Sequence, residues 1–270
     1  MIAMQRRFKG FSLTPWDVAD VHSDPIKPLD ECFDLEMSYW GGGGDRDLKT
    51  YRRLREHAGD VRFHTERQDT ECEAWMRMLE LVEEAAEDGR TVFWPSRELD
   101  PEDWVRIVEL PPSIARLRSV KALRLYGSHL VRIPPEIGEM SDLEDLDVYT
   151  SHRLHWFPYE VTRCRKLRDS RVSTRSLYGN FKYRPPFPPL GNLDPLGRDP
   201  RGRCSVCDLP LPDSDIHLAW ISLPIATDVL PLLVRACSQA CVDQLPPPAK
   251  GYVQHPHTGG LSLEQPPTYW

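Results

Sequence analysis

The fold is decided by three copies of one five-residue pattern, LPPSI at 110–114, IPPEI at 133–137 and FPYEV at 157–161. The copies lie 23 and 24 residues apart, and three further apolar positions repeat in step with them. Several positions that keep one long period indicate an internal repeat, because a single amphipathic helix produces only its own 3.6-residue periodicity. The further positions are Val120, Leu143 and Leu167, then Leu125, Val148 and Val172, and last Leu130, Leu154 and Leu177.

The repeat resembles the leucine-rich repeat family, in the variant written L-P-x-x-I-x-x-L-x-x-L-x-x-L-x-L-x-x-N-x-L. The resemblance covers residues 91–177, about a third of the 270-residue chain. It implies an α/β fold in which each unit is a short strand followed by an irregular or helical return, and in which stacked units share one apolar core. We therefore expect a short leucine-rich-repeat solenoid of three or four coils. Proline suits the return segments, which need few backbone donors.

Two departures from the family pattern weaken the expected stack. The family's asparagine position, which bonds neighbouring turns, holds other residues here: Ser128, Ser151 and Arg175. In the third unit, Ser170 occupies the strand position that Leu123 and Leu146 fill in the first two. We expect a weaker ladder of bonds between coils, and a third unit that forms a fading edge or a C-terminal cap.

The resemblance also implies a binding surface, because the outward side chains of the strands form the concave face in this family. Here those side chains are Arg124, Tyr126, Asp145, Asp147, Tyr149, Asp169, Arg171 and Ser173. Exposed tyrosine beside arginine is typical of protein-contact surfaces. The candidate partner-binding residues are Arg124, Tyr126, Asp147, Tyr149 and Arg171. An ordinary sheet surface covered by the N-terminal segment is the alternative.

The flanks of the repeat predict the domain organisation. A helix over 70–88, which Gly89 ends, carries an apolar stripe at three- and four-residue steps: Cys72, Trp75, Met76, Leu79, Val82 and Ala86. The predicted units are an irregular N-terminal segment (1–69), a capping helix (70–90), the solenoid (91–180), a proline-rich connector that is a strap or a spacer (181–200), and a small α+β zinc-binding domain with a tail (201–270).

Four of the seven cysteines form two close pairs, CSVC at 204–207 and CSQAC at 237–241, with 29 residues between them. Two such pairs can supply four thiolates in the tetrahedral arrangement that Zn²⁺ accepts. With a predicted strand at 217–224 between the pairs, the segment resembles the treble-clef zinc-finger group, which has a knuckle, a hairpin and a helix whose first turn gives the second pair. We expect a structural zinc ion bound by Cys204, Cys207, Cys237 and Cys241.

Other interpretations of this region stay open. A thioredoxin-type redox pair at Cys204 and Cys207 would leave the second pair unexplained, and four unrelated buried thiols are also compatible with the sequence. His255 and His257 could replace or supplement a ligand, or belong to a tail packed beside the finger. A closed site of four cysteines holds no position for water, which disfavours a catalytic metal. Two single cysteines at apolar positions are predicted core thiols: Cys72 and Cys164.

Charge divides the chain into blocks. The net charge is −7, but residues 163–203 carry eleven Lys and Arg against three Asp, so this basic segment is +8 and the remainder is −15. Bulk charge therefore will not hold the chain on nucleic acid or an anionic membrane. The basic segment either pairs with the acidic ends or, together with the zinc finger, binds nucleic acid or another polyanion.

No catalytic motif accompanies these features, since the chain has no Gly-x-Ser-x-Gly, no His-Glu-x-x-His and no P-loop. The start of the chain lacks the apolar run of a signal peptide, and the most apolar stretch, 216–234, contains His217 and Asp228, which fit a bilayer span poorly. We expect a cytoplasmic, non-enzymatic protein-interaction module whose partner the sequence does not name. An enzyme with its site in the N-terminal region is a further alternative.

Overall fold

The computed structural model describes residues 61–191, 202–212 and 215–268. Most of the predicted N-terminal segment, with the alternative of an enzyme site there, and part of the connector lie outside these residues. Mixed sheets and few helices confirm the α/β class. In chain order the helices and strands are α1 (Glu73–Asp88), β1 (Val92–Phe93), α2 (Pro101–Trp104), β2 (Ala122–Arg124), β3 (Asp145–Val148), β4 (Phe157–Pro158), β5 (Asp169–Val172), β6 (His217–Ile225), β7 (Asp228–Ala236) and α3 (Gln239–Asp243).

Helix α1 covers the N-terminal end of the repeat, and it ends at Gly89, whose φ of 64° is the left-handed conformation of a helix C-cap. Its buried face differs from the predicted stripe, because Met76 is 51% exposed. The side chains that pack inward are Ala74, Trp75, Met78, Leu81, Val82 and Ala85. These residues also follow a helical period, so periodicity alone did not decide which face meets the coil beside it.

A four-stranded parallel sheet in the order β1–β2–β3–β5 carries the repeat. Its register places equivalent positions side by side, with Leu123 opposite Leu146 and Val148 opposite Val172. The N–H of Leu125 donates to the Asp147 carbonyl of the next strand at 2.7 Å. The predicted neighbourhood of equivalent apolar positions on adjacent parallel strands is therefore confirmed, and these side chains are buried.

Each return from one strand to the next passes through a 3₁₀ helix, at Pro112–Arg116, Pro135–Glu139 and Tyr159–Arg163. The residue before each helix is a proline with extended backbone angles, which fits the fixed φ of proline. The repeated Ile114, Ile137 and Val161 are buried within these helices. The proline patterns therefore lie in the returns, as predicted, and supply the second wall of the core.

Two serines replace the asparagine ladder of the family pattern. The Ser128 and Ser151 hydroxyl oxygens lie 2.7 Å apart, and the Ser151 hydroxyl donates to the Leu125 carbonyl at 3.1 Å. Because that bond uses the only hydroxyl proton of Ser151, Ser128 is the donor between the two hydroxyls. The N–H of Ser128 also donates to Ser151 Oγ at 3.2 Å. A hydroxyl therefore bridges these two coils at the position where the family pattern has an asparagine.

The last strand of the sheet is covered by the tip of the β6–β7 hairpin. The Ser170 hydroxyl donates to Asp228 Oδ2 at 2.8 Å, and the Thr227 hydroxyl donates to the Ser170 carbonyl at 2.9 Å. The middle of β7 joins the same coil, because β4 pairs in parallel with Leu232 and Leu233. Ser170 replaces leucine at this position because its side chain meets the polar tip of a hairpin instead of another apolar coil.

The described part of the proline-rich connector packs as a strap. Phe187 is buried, and the indole N–H of Trp220 donates to the Pro188 carbonyl at 3.1 Å. Arg184 is buried as well and donates to the carbonyls of Gly179 and Gly251. The strap thereby closes a second, mainly aromatic core made of Val61, Phe63, Trp156, Tyr178, Phe187, Leu190, Trp220 and Leu233.

The close approach of two successive returns depends on a glycine. A Cβ atom at Gly138 would lie 2.8 Å from the Glu160 carbonyl oxygen. We expect Gly138→Ala to lower the free energy of unfolding by about 1–3 kcal/mol, as overpacking does, in urea titrations. Gly191→Ala is the control, because none of the described residues lies within 4 Å of a Cβ atom there, and it should change stability by less than about 0.5 kcal/mol. Equal stability of the two variants would contradict this packing.

Candidate metal centre and exposed sheet face

The β6–β7 hairpin brings the two cysteine pairs together. Cys204 and Cys207 lie in a turn before the hairpin, Cys237 follows β7, and Cys241 lies in α3. The four Sγ atoms all lie within 4.8 Å of one another. The Sγ atom of Cys237 is 3.6 Å from that of Cys207 and 3.6 Å from that of Cys241. Among the described residues, this is the one group of three or more potential ligands close enough to hold a metal ion.

Backbone N–H groups point at the buried sulfur of the first pair. The N–H groups of Cys207 and Cys237 donate to Cys204 Sγ at 3.5 and 3.4 Å. Burial by itself raises the pKa of the Cys204 thiol, but these backbone donors outweigh it and lower the pKa to about 7. Donors that stabilise a thiolate fit a metal-binding sulfur, because a metal binds the deprotonated form.

The second pair is placed by the start of α3. Ser238 is the N-cap of this helix, and its hydroxyl oxygen accepts the N–H of Cys241 at 3.3 Å. That bond fixes the first turn and sets Cys241 beside Cys237. Cys204 and Cys241 are buried, Cys237 is half-buried and Cys207 is exposed, so one edge of the cluster faces solvent.

A network of polar side chains connects the turn that holds Cys204 and Cys207, the cysteine turn, to the third coil of the repeat, which runs from β4 to β5. The Ser205 hydroxyl donates to Glu160 Oε1 at 2.8 Å and accepts the N–H of Arg235 at 3.0 Å. Glu160 is buried, and desolvation raises the pKa of its carboxyl. Arg163 donates to the carbonyls of Cys204 and Ser205 at 3.2 Å each. Hydrogen bonds of this kind, from residues that do not bind the metal, orient the residues that would bind it.

The histidines considered as ligands lie elsewhere. His257 forms an antiparallel bridge with Trp220 on β6, and its ring packs edge-on against Phe187 at 4.6 Å. The pKa of His257 is lowered to about 4, mainly because the ring is buried and also because His255 lies nearby. Among the described residues, the group of potential ligands contains the four cysteines and neither histidine, so the interpretation that these histidines complete the cysteine cluster is wrong. They belong to the packed tail that was the alternative.

The two single cysteines that were predicted to be core thiols are buried. The Cys164 thiol donates to the Ile137 carbonyl at 3.2 Å, and burial raises the pKa of this thiol to about 12. The Cys72 thiol donates to the Asp69 carbonyl at 3.2 Å. Both therefore pack in the apolar core, outside the candidate metal centre.

The outward face of the parallel sheet carries the predicted tyrosine pair. Tyr126 is 51% exposed and Tyr149 is 37% exposed. Their ring centroids lie 6.1 Å apart, because the two residues occupy equivalent positions of neighbouring coils. Arg124, beside them, donates two bonds to the Asp145 carboxylate at 2.8 and 2.6 Å.

Asp147 and Arg171 on this face differ in their exposure to solvent. Asp147 is buried, lies 3.7 Å from Arg124 and 3.9 Å from Arg171, and accepts the N–H of Tyr149 at 3.1 Å. It therefore orients neighbouring side chains and offers little surface itself. The Arg171 side chain is 67% exposed. The pattern of alternating residues placed Asp147 outward, but it did not show that its two arginine neighbours cover it.

Five cations of the basic segment pair with carboxylates. Arg163 and Arg203 both meet Asp208, and three further cations of this segment meet acidic residues of the coils before them. Pairing of the segment with acidic partners was the first of the two interpretations of its charge. The further pairs, among the described residues, are Lys166 with Asp142, Arg168 with Glu144 and Arg171 with Asp147.

No protein-family model and no curated protein matches the chain. A solved structure of the leucine-rich repeat domain of the type III effector XopL overlaps 56% of this chain at 14% sequence identity and a TM-score of 0.30. The chain spans about half of that structure, since the overlap covers 47% of it. In the part of the chain that the structure describes, no helix has the length and apolar character needed to span a membrane.

We predict that the Ser205 hydroxyl stabilises the link between the cysteine turn and the third coil. Ser205→Ala leaves the Glu160 carboxyl and the Arg235 N–H without their shared partner. We expect the free energy of unfolding to fall by about 1–3 kcal/mol, the cost of unsatisfied buried groups, in urea titrations. Ser113→Ala is the matched control, because the Ser113 hydroxyl is buried with no hydrogen-bond partner. If both serine variants are equally stable, the network does not hold the turn.

Proposed function

We propose that this protein is a short leucine-rich-repeat solenoid that binds a partner protein through the outward face of its parallel sheet. In this proposal it is a cytoplasmic, non-enzymatic module, and a structural zinc ion holds its C-terminal unit. The observation that carries the proposal is the exposed pair Tyr126 and Tyr149, whose rings lie side by side on neighbouring coils, beside Arg124.

The tyrosine pair has the properties of a protein-contact centre. A tyrosine ring offers a large apolar area with little conformational entropy to lose, and its hydroxyl can bond a partner. Arg124 is already held by Asp145, so the surface around the rings is organised before a partner arrives. A pre-organised aromatic surface loses less entropy when it binds than a mobile one does.

The charges on and beside the face favour a protein over a polyanion. Cations and carboxylates alternate across neighbouring strands, with Arg124 between Asp145 and Asp147, and Glu144 between Lys121 and Arg168. Four cations therefore stand against four carboxylates and the face has no excess positive charge, which nucleic-acid binding requires. The cations are Lys121, Arg124, Arg168 and Arg171, and the carboxylates are Glu144, Asp145, Asp147 and Asp169.

The donor set of the cysteine cluster supports zinc. Four thiolates around Zn²⁺ at about 2.3 Å in a tetrahedron lie about 3.8 Å from one another, and two of the Sγ separations are 3.6 Å. The order of turn, hairpin and helix is that of the treble-clef group. With all four positions taken by Cys204, Cys207, Cys237 and Cys241, the ion would have a structural role and hold together a unit too small for a core of its own.

The face is tested with a double variant, Tyr126→Ala with Tyr149→Ala, in the intact protein. Affinity capture identifies a partner, and calorimetry with the purified partner measures Kd. We expect the double variant to raise Kd by about tenfold or more, because aromatic residues at the centre of an interface carry much of the binding energy. Met76→Ala, which removes an exposed apolar side chain on α1, should leave Kd unchanged. If the parent protein and the double tyrosine variant recover partners equally, the assignment of the binding face is refuted.

The same purified protein separates the polyanion alternative. Binding to RNA and DNA is measured between about 50 and 200 mM salt, where affinity for a polyanion falls steeply because counterions are released. We expect no binding at the low end of this range. Tight binding with a steep salt dependence would favour the polyanion alternative over the protein-contact proposal.

The metal is tested by its stoichiometry and by its removal. We expect about one zinc ion per chain in freshly purified, reduced protein, because one closed site takes four thiolates. A strong chelator should lower the unfolding temperature of the C-terminal unit, because metal binding is coupled to folding. Cys241→Ser should lose the metal, and Cys72→Ser, which changes a cysteine outside the cluster, should retain it. Reduced protein without zinc would overturn the assignment.

A further inference from the structure

We propose that Cys207 and Cys237 form a peroxide-sensitive pair whose oxidation to a disulfide releases the metal ion and loosens the third coil of the repeat. The third coil runs from β4 through Tyr159–Arg163 to β5, the strand that carries Arg171 of the binding face. This inference rests on the proposed zinc site and adds a redox control to the proposed binding face.

Accessibility singles out this pair within the cluster. Cys207 is exposed and Cys237 is half-buried, whereas Cys204 and Cys241 are buried. The Sγ atoms of Cys207 and Cys237 lie 3.6 Å apart. An approach of about 1.5 Å would bring them to the length of a disulfide bond. Reagents from solvent therefore reach Cys207 before the other three sulfurs, and Cys237 lies within reach of a crosslink to it.

The oxidant is hydrogen peroxide, and the step balances. The Cys207 thiolate attacks one peroxide oxygen, the O–O bond breaks, and hydroxide leaves, which gives a sulfenic acid on Cys207. The Cys237 thiolate attacks that sulfur, the S–S bond forms, the S–O bond breaks and a second hydroxide leaves. The two sulfurs lose two electrons, and two protons from solvent convert the two hydroxides into water. Only Cys204 and Cys241 then remain as ligands, too few to retain zinc.

The consequence reaches the third coil through the cysteine turn. Arg163 donates to the carbonyls of Cys204 and Ser205, and it also meets Asp208 at 3.1 Å. The buried Glu160 accepts the Ser205 hydroxyl at 2.8 Å. Arg163 and Glu160 both belong to the 3₁₀ helix Tyr159–Arg163. If the cysteine turn moves when it loses its metal, this helix loses its hydrogen bonds to the turn.

The hairpin itself should keep its structure. Its inward side chains are buried in the same apolar core as the repeat, so their burial does not depend on the metal. Oxidation therefore produces a local opening of the cysteine turn and the third coil, and the hairpin stays folded. Local openings of this kind appear in hydrogen exchange as faster exchange in one contiguous segment.

The test uses the full chain as purified, with its zinc content measured first. Hydrogen peroxide is added in the presence of a chromogenic zinc chelator, and crosslinks are mapped by mass spectrometry after alkylation of free thiols. We expect zinc release in step with a Cys207–Cys237 crosslink, and recovery with dithiothreitol and added zinc. Hydrogen exchange should quicken over 159–172 and stay unchanged over 217–236.

Two variants distinguish a switch from general damage. Cys207→His keeps a four-ligand set that zinc accepts but removes one sulfur of the pair, so it should hold its zinc in peroxide. Cys237→His repeats the test if the first variant binds no zinc. Cys72→Ser is the matched control and should release zinc as the parent protein does.

The possible results separate failure of the switch from failure of the metal site. A parent protein that contains zinc but keeps it in peroxide overturns the switch and leaves the metal site intact, as does a crosslink through other cysteines or release from both histidine variants. Unchanged exchange over 159–172 after complete release overturns the link to the third coil. Reduced protein without zinc overturns the metal site and, with it, the switch.

Discussion

Each coil of this protein depends on its neighbours, because a unit of 23 or 24 residues cannot bury its apolar side alone. Leu123 is buried between strands of the neighbouring coils, because Phe93 lies opposite it on one side and Leu146 on the other. A stack built this way has two open ends, and each needs a different cover. Helix α1 covers the first end with an apolar face, and the β6–β7 hairpin covers the second with both apolar and polar contacts.

The second end explains why a candidate metal centre stands beside a repeat. The tip of the hairpin contacts the last strand at Ser170, and the cysteine turn at the base of the hairpin contacts the return of the same coil through the bond from Ser205 to Glu160. The base is a tight turn with little apolar area of its own. A four-cysteine site can hold such a turn in place, as metals do in small units that lack a core.

On the outward face of the sheet, charged side chains are held in ion pairs, and the positive and negative charges balance. Bonds between Arg124 and Asp145, and the burial of Asp147 between two arginines, fix the charged side chains against one another. Tyr126 and Tyr149 are exposed on this part of the surface, with their ring centroids 6.1 Å apart. Recognition that rests on these rings would respond to the shape of a partner more than to its net charge.

The sequence by itself determined the period of the repeat, the place of proline in the returns and the two cysteine pairs, because each of these is a pattern of residue types at short spacing. Only the tertiary structure decided which face of α1 is buried, that Asp147 is covered, that His257 packs against Phe187 and that β4 joins the hairpin. These outcomes depend on neighbours far along the chain. Burial is a property of such non-local packing, so a local pattern narrows the choices and the assembled core selects among them.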